Sequence, residues 1–258
     1  MIDEQTAKRR GSFWRELPIL LGVAILVAVL VRAFVLQTFY IPSPSMEHTL
    51  NVLDRVLVNK LVYDFRDPKR GEIIVFKAPA DWQSGAEGED FIKRIIGTPG
   101  DNVVCCDAQG RITVNGVGID EPYIAPGYNS DLNQPPNPTQ CTSRRFTTVT
   151  VPAGEMFVMG DHRAVSQDAR CQGPVPIKNI IGRAFVIVWP SSRFTSLSVP
   201  DVWKTYAADH PTAAAERQLP VRRDSPARNV FVLPFLLSAG LSARSGLKFA
   251  ARRRRLRS

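Results

Sequence analysis

The chain has 258 residues, 44% of them hydrophobic and 22% charged, with a formal net charge of +9. That composition excludes a disordered polyelectrolyte and suits one large domain or two small ones. The positive excess gathers in Arg252, Arg253, Arg254, Arg255 and Arg257. This speaks against nucleic-acid binding, which needs basic and stacking aromatic side chains spread over a folded face.

Residues 1–17 carry Lys8, Arg9, Arg10 and Arg15 and precede an almost wholly apolar segment, residues 18–39. At 1.5 Å per residue such a helix is about 30 Å long, one hydrocarbon core. The segment predicts a transmembrane anchor. A cleaved signal peptide would have a shorter apolar region and a small-x-small site after it, and none follows. Arg32, near the far end, reaches the interface by snorkelling. Positive charge before the span places residues 1–17 in the cytoplasm and the chain from residue 40 outside it.

Residues 40–198 predict an extracytoplasmic domain that is mostly antiparallel β. The apolar residues come in short runs, at 56–58, 72–76, 91–96, 103–106, 146–151, 156–159 and 185–188, divided by Gly, Pro and Asp. Residues 123–138, crowded with Pro, Asn and Gly, predict a long surface loop within a less regular insertion of about 102–154. Cys105, Cys106, Cys141 and Cys171 all fall in this outer part, where disulfides persist. In a strand, Cys105 and Cys106 point to opposite faces, so at most one readily reaches Cys141. One bridge is expected, its pairing left open. No Cys-x-x-Cys pair and no His pair at helical spacing occurs, so no metal is expected. Residues 199–228 read as a flexible linker. Residues 229–247 are either a second span or an interfacial hook, and residues 248–258 form a basic tail facing anionic lipid.

Three segments carry chemistry. The first, Ile41-Pro42-Ser43-Pro44-Ser45-Met46-Glu47-His48-Thr49-Leu50, sets two serines in a proline-stiffened stretch directly after the anchor. A serine there is a turn residue unless a base and an oxyanion site accompany it. The second, 91–101, contains Lys93 in a strand. Outward, Lys93 is a solvated cation; buried, its pKa falls and the neutral amine can take a serine proton. The third, 159–170, is dense in polar side chains just after an apolar strand. Asp168 and Arg170 there form either a surface pair or part of a site.

Together, in this order and behind an anchor, the segments resemble the bacterial type I signal peptidases. That family's motifs read Pro-Ser-x-Ser-Met-x-Pro-Thr-Leu, Lys-Arg-x-x-Gly-x-Pro-Gly-Asp and Gly-Asp-Asn-Arg-x-x-Ser-x-Asp-Ser-Arg. The resemblance runs from the anchor to about Trp189. It implies Ser45 as nucleophile, Lys93 as general base, Ser43 as an oxyanion hydroxyl, and Ser166 orienting the lysine amine. Asp168 and Arg170 would brace the site, and Phe39, Ile41, Leu50, Phe91 and Ile92 would line the pockets for small residues. It further implies no cofactor. The implied substrates are preprotein signal peptides cut after Ala-x-Ala-type sites, and the implied partners are membrane lipid and the export machinery. The sequence departs from the family pattern at His48 (usually Pro), His162 (usually Asn), Ala169 (usually Ser), Ala164 and Val165. The two histidines admit a rival, Ser45 with His48 or His162 and Asp161. Two other readings compete: a self-cleaving Ser-Lys repressor, disfavoured by the anchor, and an anchored non-catalytic β domain that binds exported chains.

Overall fold

The computed structural model describes residues 4–82, 88–135, 141 and 143–210. Helix α1 (Glu4–Leu30) passes through a π turn (Val31–Val35) into strand β1 (Leu36–Tyr40). There follow β2 (Arg55–Asn59), the one-turn helix α2 (Val62–Phe65), β3 (Ile73–Lys77) and β4 (Asp90–Gly97). A second group comprises β5 (Asn102–Cys105), β6 (Ile112–Val114), β7 (Val117–Gly118) and β8 (Phe146–Thr150). The described chain then continues through β9 (Glu155–Met159), α3 (Ala169–Gln172), β10 (Val175–Pro176), β11 (Ile180–Trp189), β12 (Thr195–Ser196) and α4 (Asp201–Asp209).

The main sheet runs β1-β2-β11-β3-β4-β9-β10, with β12 added to β11, and a smaller sheet runs β7-β6-β5-β8. Neighbouring strands pair antiparallel throughout, so the expected mostly antiparallel β domain is what these residues form. Register explains the core. Alternation along β3 and β4 sends Ile73, Val75 and Ile92 into one apolar cluster and Ile74, Phe76 and Ile95 into another. Both faces of the central strands are therefore covered.

Four expectations change. The apolar span expected over residues 18–39 is helical only as far as Val35. Gln37 and Thr38 interrupt the apolar run, and Leu36–Tyr40 instead pairs residue by residue with Asn59–Arg55. Among the described residues no helix is long and apolar enough to cross a membrane. From Leu17 to Leu30 helix α1 nevertheless exposes its large apolar side chains, with Ile19 at 67% and Leu20 at 64%. Second, the expected linker over residues 199–228 begins with helix α4, whose Trp203 and Tyr206 are buried in the core. Two aromatics at i and i+3 give that short helix an inward face that its Ala and Asp content hides. Third, two disulfides form rather than one: Cys105 bonds its neighbour Cys106, and Cys141 bonds Cys171. Cys141 thus finds its partner in α3 rather than in β5. Fourth, the insertion over 102–154 is more regular than expected, since it holds the smaller sheet. The segments expected at 229–247 and 248–258 lie outside the described residues.

Candidate active site

Ser45 sits in a single 3-10 turn, Pro44–Met46, whose N-cap is Ser43 in extended conformation. Pro44 occupies the first position of the turn, where a missing N–H costs nothing. The turn is held from behind. The Ser45 carbonyl accepts the His162 N–H at 3.1 Å, and Met46 is fully buried, its sulfur 3.4 Å from the Asp161 N–H. Gly160 makes this approach feasible. A Cβ there would overlap both the Ser45 carbonyl oxygen and the Ser166 side chain. The Gly160 N–H donates to Asp168 at 3.0 Å.

Lys93 reaches the same point from the middle of β4. Its amine lies 2.9 Å from the Ser45 hydroxyl and 3.1 Å from the Ile92 carbonyl, and Lys93 is only 2% exposed. Burial pulls its pKa from the usual 10.5 to about 8; Asp168 and Asp161 draw it back up, and Arg170 adds to the fall. Strand alternation could not give the inward face, because both faces are inward here. The Ser43 hydroxyl lies 3.3 Å from that of Ser45. Ser166 is buried at 1%, its hydroxyl close enough to the Asp168 carboxyl to help hold that group's pKa down, with no bond to the Lys93 amine.

Asp168 and Arg170 form a buried pair at 2.8 Å rather than a surface one. Burial pushes the Asp168 carboxyl up, but the Arg170 guanidinium and the Gly160 N–H outweigh it and hold the pKa below the usual carboxylate value. Arg170 also donates to the carbonyls of Arg163 and Ser166, at 2.8 and 3.1 Å, fixing the loop that precedes it. The Cys141–Cys171 bridge lies against this corner, with the Asp168 N–H 3.3 Å from the Cys141 sulfur.

The expected pocket residues divide. Ile41, Leu50 and Ile92 are buried in one cluster with Phe39 packed against it. Phe91 packs instead against the other cluster, with its ring stacked on Phe76 and edge-on to Trp82. The histidine alternative loses its carboxylate. Asp161 is fully buried and takes two bonds from Arg94, at 2.9 and 2.6 Å, plus the Thr49 hydroxyl at 2.6 Å. The His162 ring stacks on Tyr128 and approaches Glu47 at 3.4 Å, while His48 is exposed.

The sequence reading missed Arg94, Thr49 and Gly160, although all three stand inside the motif segments. It also missed the buried pair Arg163–Glu121, with bonds at 2.7 Å and shorter. Glu121 carries no local signal, because its partner is far along the chain.

The family model described as signal peptidase, peptidase S26, matches residues 14–189. The chain is 37% identical over 233 residues to the probable signal peptidase I-2 of Synechocystis, covering 84% of this chain and 98% of that protein. It is 35% identical to the probable signal peptidase I of Mycobacterium leprae, covering 72% of this chain and 80% of that one. The signal peptidase I of Mycobacterium tuberculosis is 34% identical, covering 74% of this chain and 78% of its own.

Proposed function

The chain belongs to the signal peptidase family, peptidase S26, and from that membership we propose a serine endopeptidase that removes signal peptides from exported preproteins through a Ser45–Lys93 dyad. The observation that carries the dyad is the 2.9 Å approach of a buried, pKa-depressed lysine amine to a serine hydroxyl. Neutral Lys93 takes the Ser45 proton as the hydroxyl oxygen attacks the scissile carbonyl. The tetrahedral oxyanion is stabilised by the Ser43 hydroxyl and the Ser45 N–H. Lys93 then delivers its proton to the leaving amine, and an ester to Ser45 remains. Water, deprotonated by the same amine, attacks the ester carbonyl; the bond to Ser45 breaks and the amine returns the proton to the Ser45 oxygen, so one base serves both halves without a cofactor.

Asp168 and Arg170 brace the corner that covers Lys93, and Ser166, buried in the same corner, supports Asp168. Phe39, Ile41, Leu50 and Ile92 shape pockets that admit short side chains, in keeping with cleavage after Ala-x-Ala-type sites, while Phe91, in the other cluster, flanks the Lys93 amine at 5.4 Å. The exposed apolar faces of α1 support anchoring in lipid, with the catalytic domain on the outer side near the export machinery. The test is cleavage of a preprotein in detergent by the wild type beside Ser45→Ala, Lys93→Ala and His162→Ala, with thermal melts to establish folding. Loss in the first two alone supports the dyad. Loss in His162→Ala with activity kept in Lys93→Ala refutes it, and a folded wild type that binds without cutting favours a binding domain.

A further inference from the structure

Helix α4 lies past residue 189, where the family match ends. Its Trp203 is nonetheless among the most deeply buried large side chains, 2% exposed. Two contacts lead from it to one place. The ring presses on the backbone at Gly71, where a Cβ would overlap Trp203 Cγ and Cδ1, and the Gly71 carbonyl accepts an Arg94 N–H at 2.8 Å. The indole N–H donates to the Tyr123 hydroxyl at 3.3 Å, and the Tyr123 ring lies 4.2 Å from the Arg94 guanidinium. Arg94, held on both sides, gives its remaining bonds to Asp161. Asp161 in turn holds Thr49, and the residue after it holds the Ser45 carbonyl.

We infer that Trp203 is a positioning residue for peptide-bond cleavage, with α4 acting as the brace that fixes the plane of Arg94 and, through Asp161, the Ser45 turn. This rests on the Ser45–Lys93 reading above. Two-point guanidinium–carboxylate bonds demand a fixed fork geometry. A displacement of about 1 Å at reacting atoms costs on the order of a hundredfold in rate. The other buried aromatic of the same helix, Tyr206, sits edge-on to the Trp203 ring at 6.1 Å, but its hydroxyl turns away from Arg94. Its hydroxyl donates to the Val114 carbonyl at 3.3 Å, and its ring lies under Arg70.

The experiment compares Trp203→Ala, Trp203→Phe, Tyr123→Phe and Tyr206→Phe in the full chain, each assayed well below its melting transition. Trp203→Ala is expected to lower kcat about tenfold or more with KM little changed, the scale of a sub-ångström misplacement. Its pH profile should shift upward at the acid limb as Lys93 becomes hydrated. Trp203→Phe should recover part of that loss, and Tyr123→Phe should lower kcat in a folded protein. Tyr206→Phe should lower the melting temperature and leave kcat unchanged. The inference is overturned if Trp203→Ala keeps kcat and pH profile, or if Trp203 and Tyr206 variants lose activity only in proportion to stability. Should Trp203→Ala fail to fold, unchanged kcat and pH profile in both Trp203→Phe and Tyr123→Phe overturn it equally. Ser45→Ala and Lys93→Ala run alongside: activity surviving in either refutes the dyad independently of the brace.

Discussion

Asp161 receives two guanidinium bonds from Arg94, tying the residue beside Lys93 to the segment that supports the Ser45 turn. Both side chains are almost wholly removed from solvent, at 2% and 0% exposure. Such a pair contributes little net stability over an apolar substitute, yet breaking one half leaves an uncompensated buried charge. Asp161→Asn should therefore cost about 3–5 kcal/mol in denaturant unfolding. A loss below about 1 kcal/mol would mean that Arg94 finds another partner or reaches water.

Lys93 itself opposes stability. Its folded pKa, about 8, lies below the unfolded 10.5, so the unfolded chain holds more protons between those values. The cost is fully present below pH 8 and is relieved as pH rises through 8 to 10.5. The shift corresponds to roughly 3 kcal/mol, and Lys93→Met should recover a large part of it at pH 7 while abolishing cleavage. Melting temperatures across pH check this. A gain that does not shrink above pH 8 would contradict it.

Gly160 stands where three parts of the site converge, and the Ser45 carbonyl cannot move aside as a flexible side chain would. Gly160→Ala should lower kcat about a hundredfold, because the displaced atoms belong to the turn of the proposed nucleophile. Preprotein cleavage measured with a thermal melt tests it. Near-normal kcat in a folded variant would mean that the turn has slack.

His48 adopts φ 77°, a value closed to proline, and its N–H donates to the Asn51 side chain. The turn therefore cannot be the one that a proline at this position would build. Melting temperatures should rank His48→Gly at or above the wild type, and His48→Pro below it by a change worth about 1–3 kcal/mol. A His48→Pro variant as stable as the wild type would contradict this turn geometry.

Much of the fold was legible. The seven apolar runs correspond to strands β2, β3, β4, β5, β8, β9 and β11, because β-rich runs bounded by turn residues have few other solutions. Strands β6, β7, β10 and β12 are two or three residues long, too short for a periodic signal. Strand β1 was absorbed into the apolar segment before it, since Leu36 and Phe39 suit either a helix or a strand. Ser45 and Lys93 stood out only through the joint spacing of three motifs, as alternation cannot orient a lysine in a sheet covered on both faces. Trp203, Glu121 and the Cys141–Cys171 bridge were not legible, because their partners lie far away in sequence.

The most direct test of the dyad is the pH dependence of kcat/KM, which reports the free enzyme's essential base. With Lys93 at about 8, roughly a tenth of the enzyme is competent at pH 7. The account predicts an acid limb with its midpoint near pH 8, unmoved by His162→Ala. A midpoint near 6.5 that disappears in His162→Ala would contradict it and assign the base to histidine.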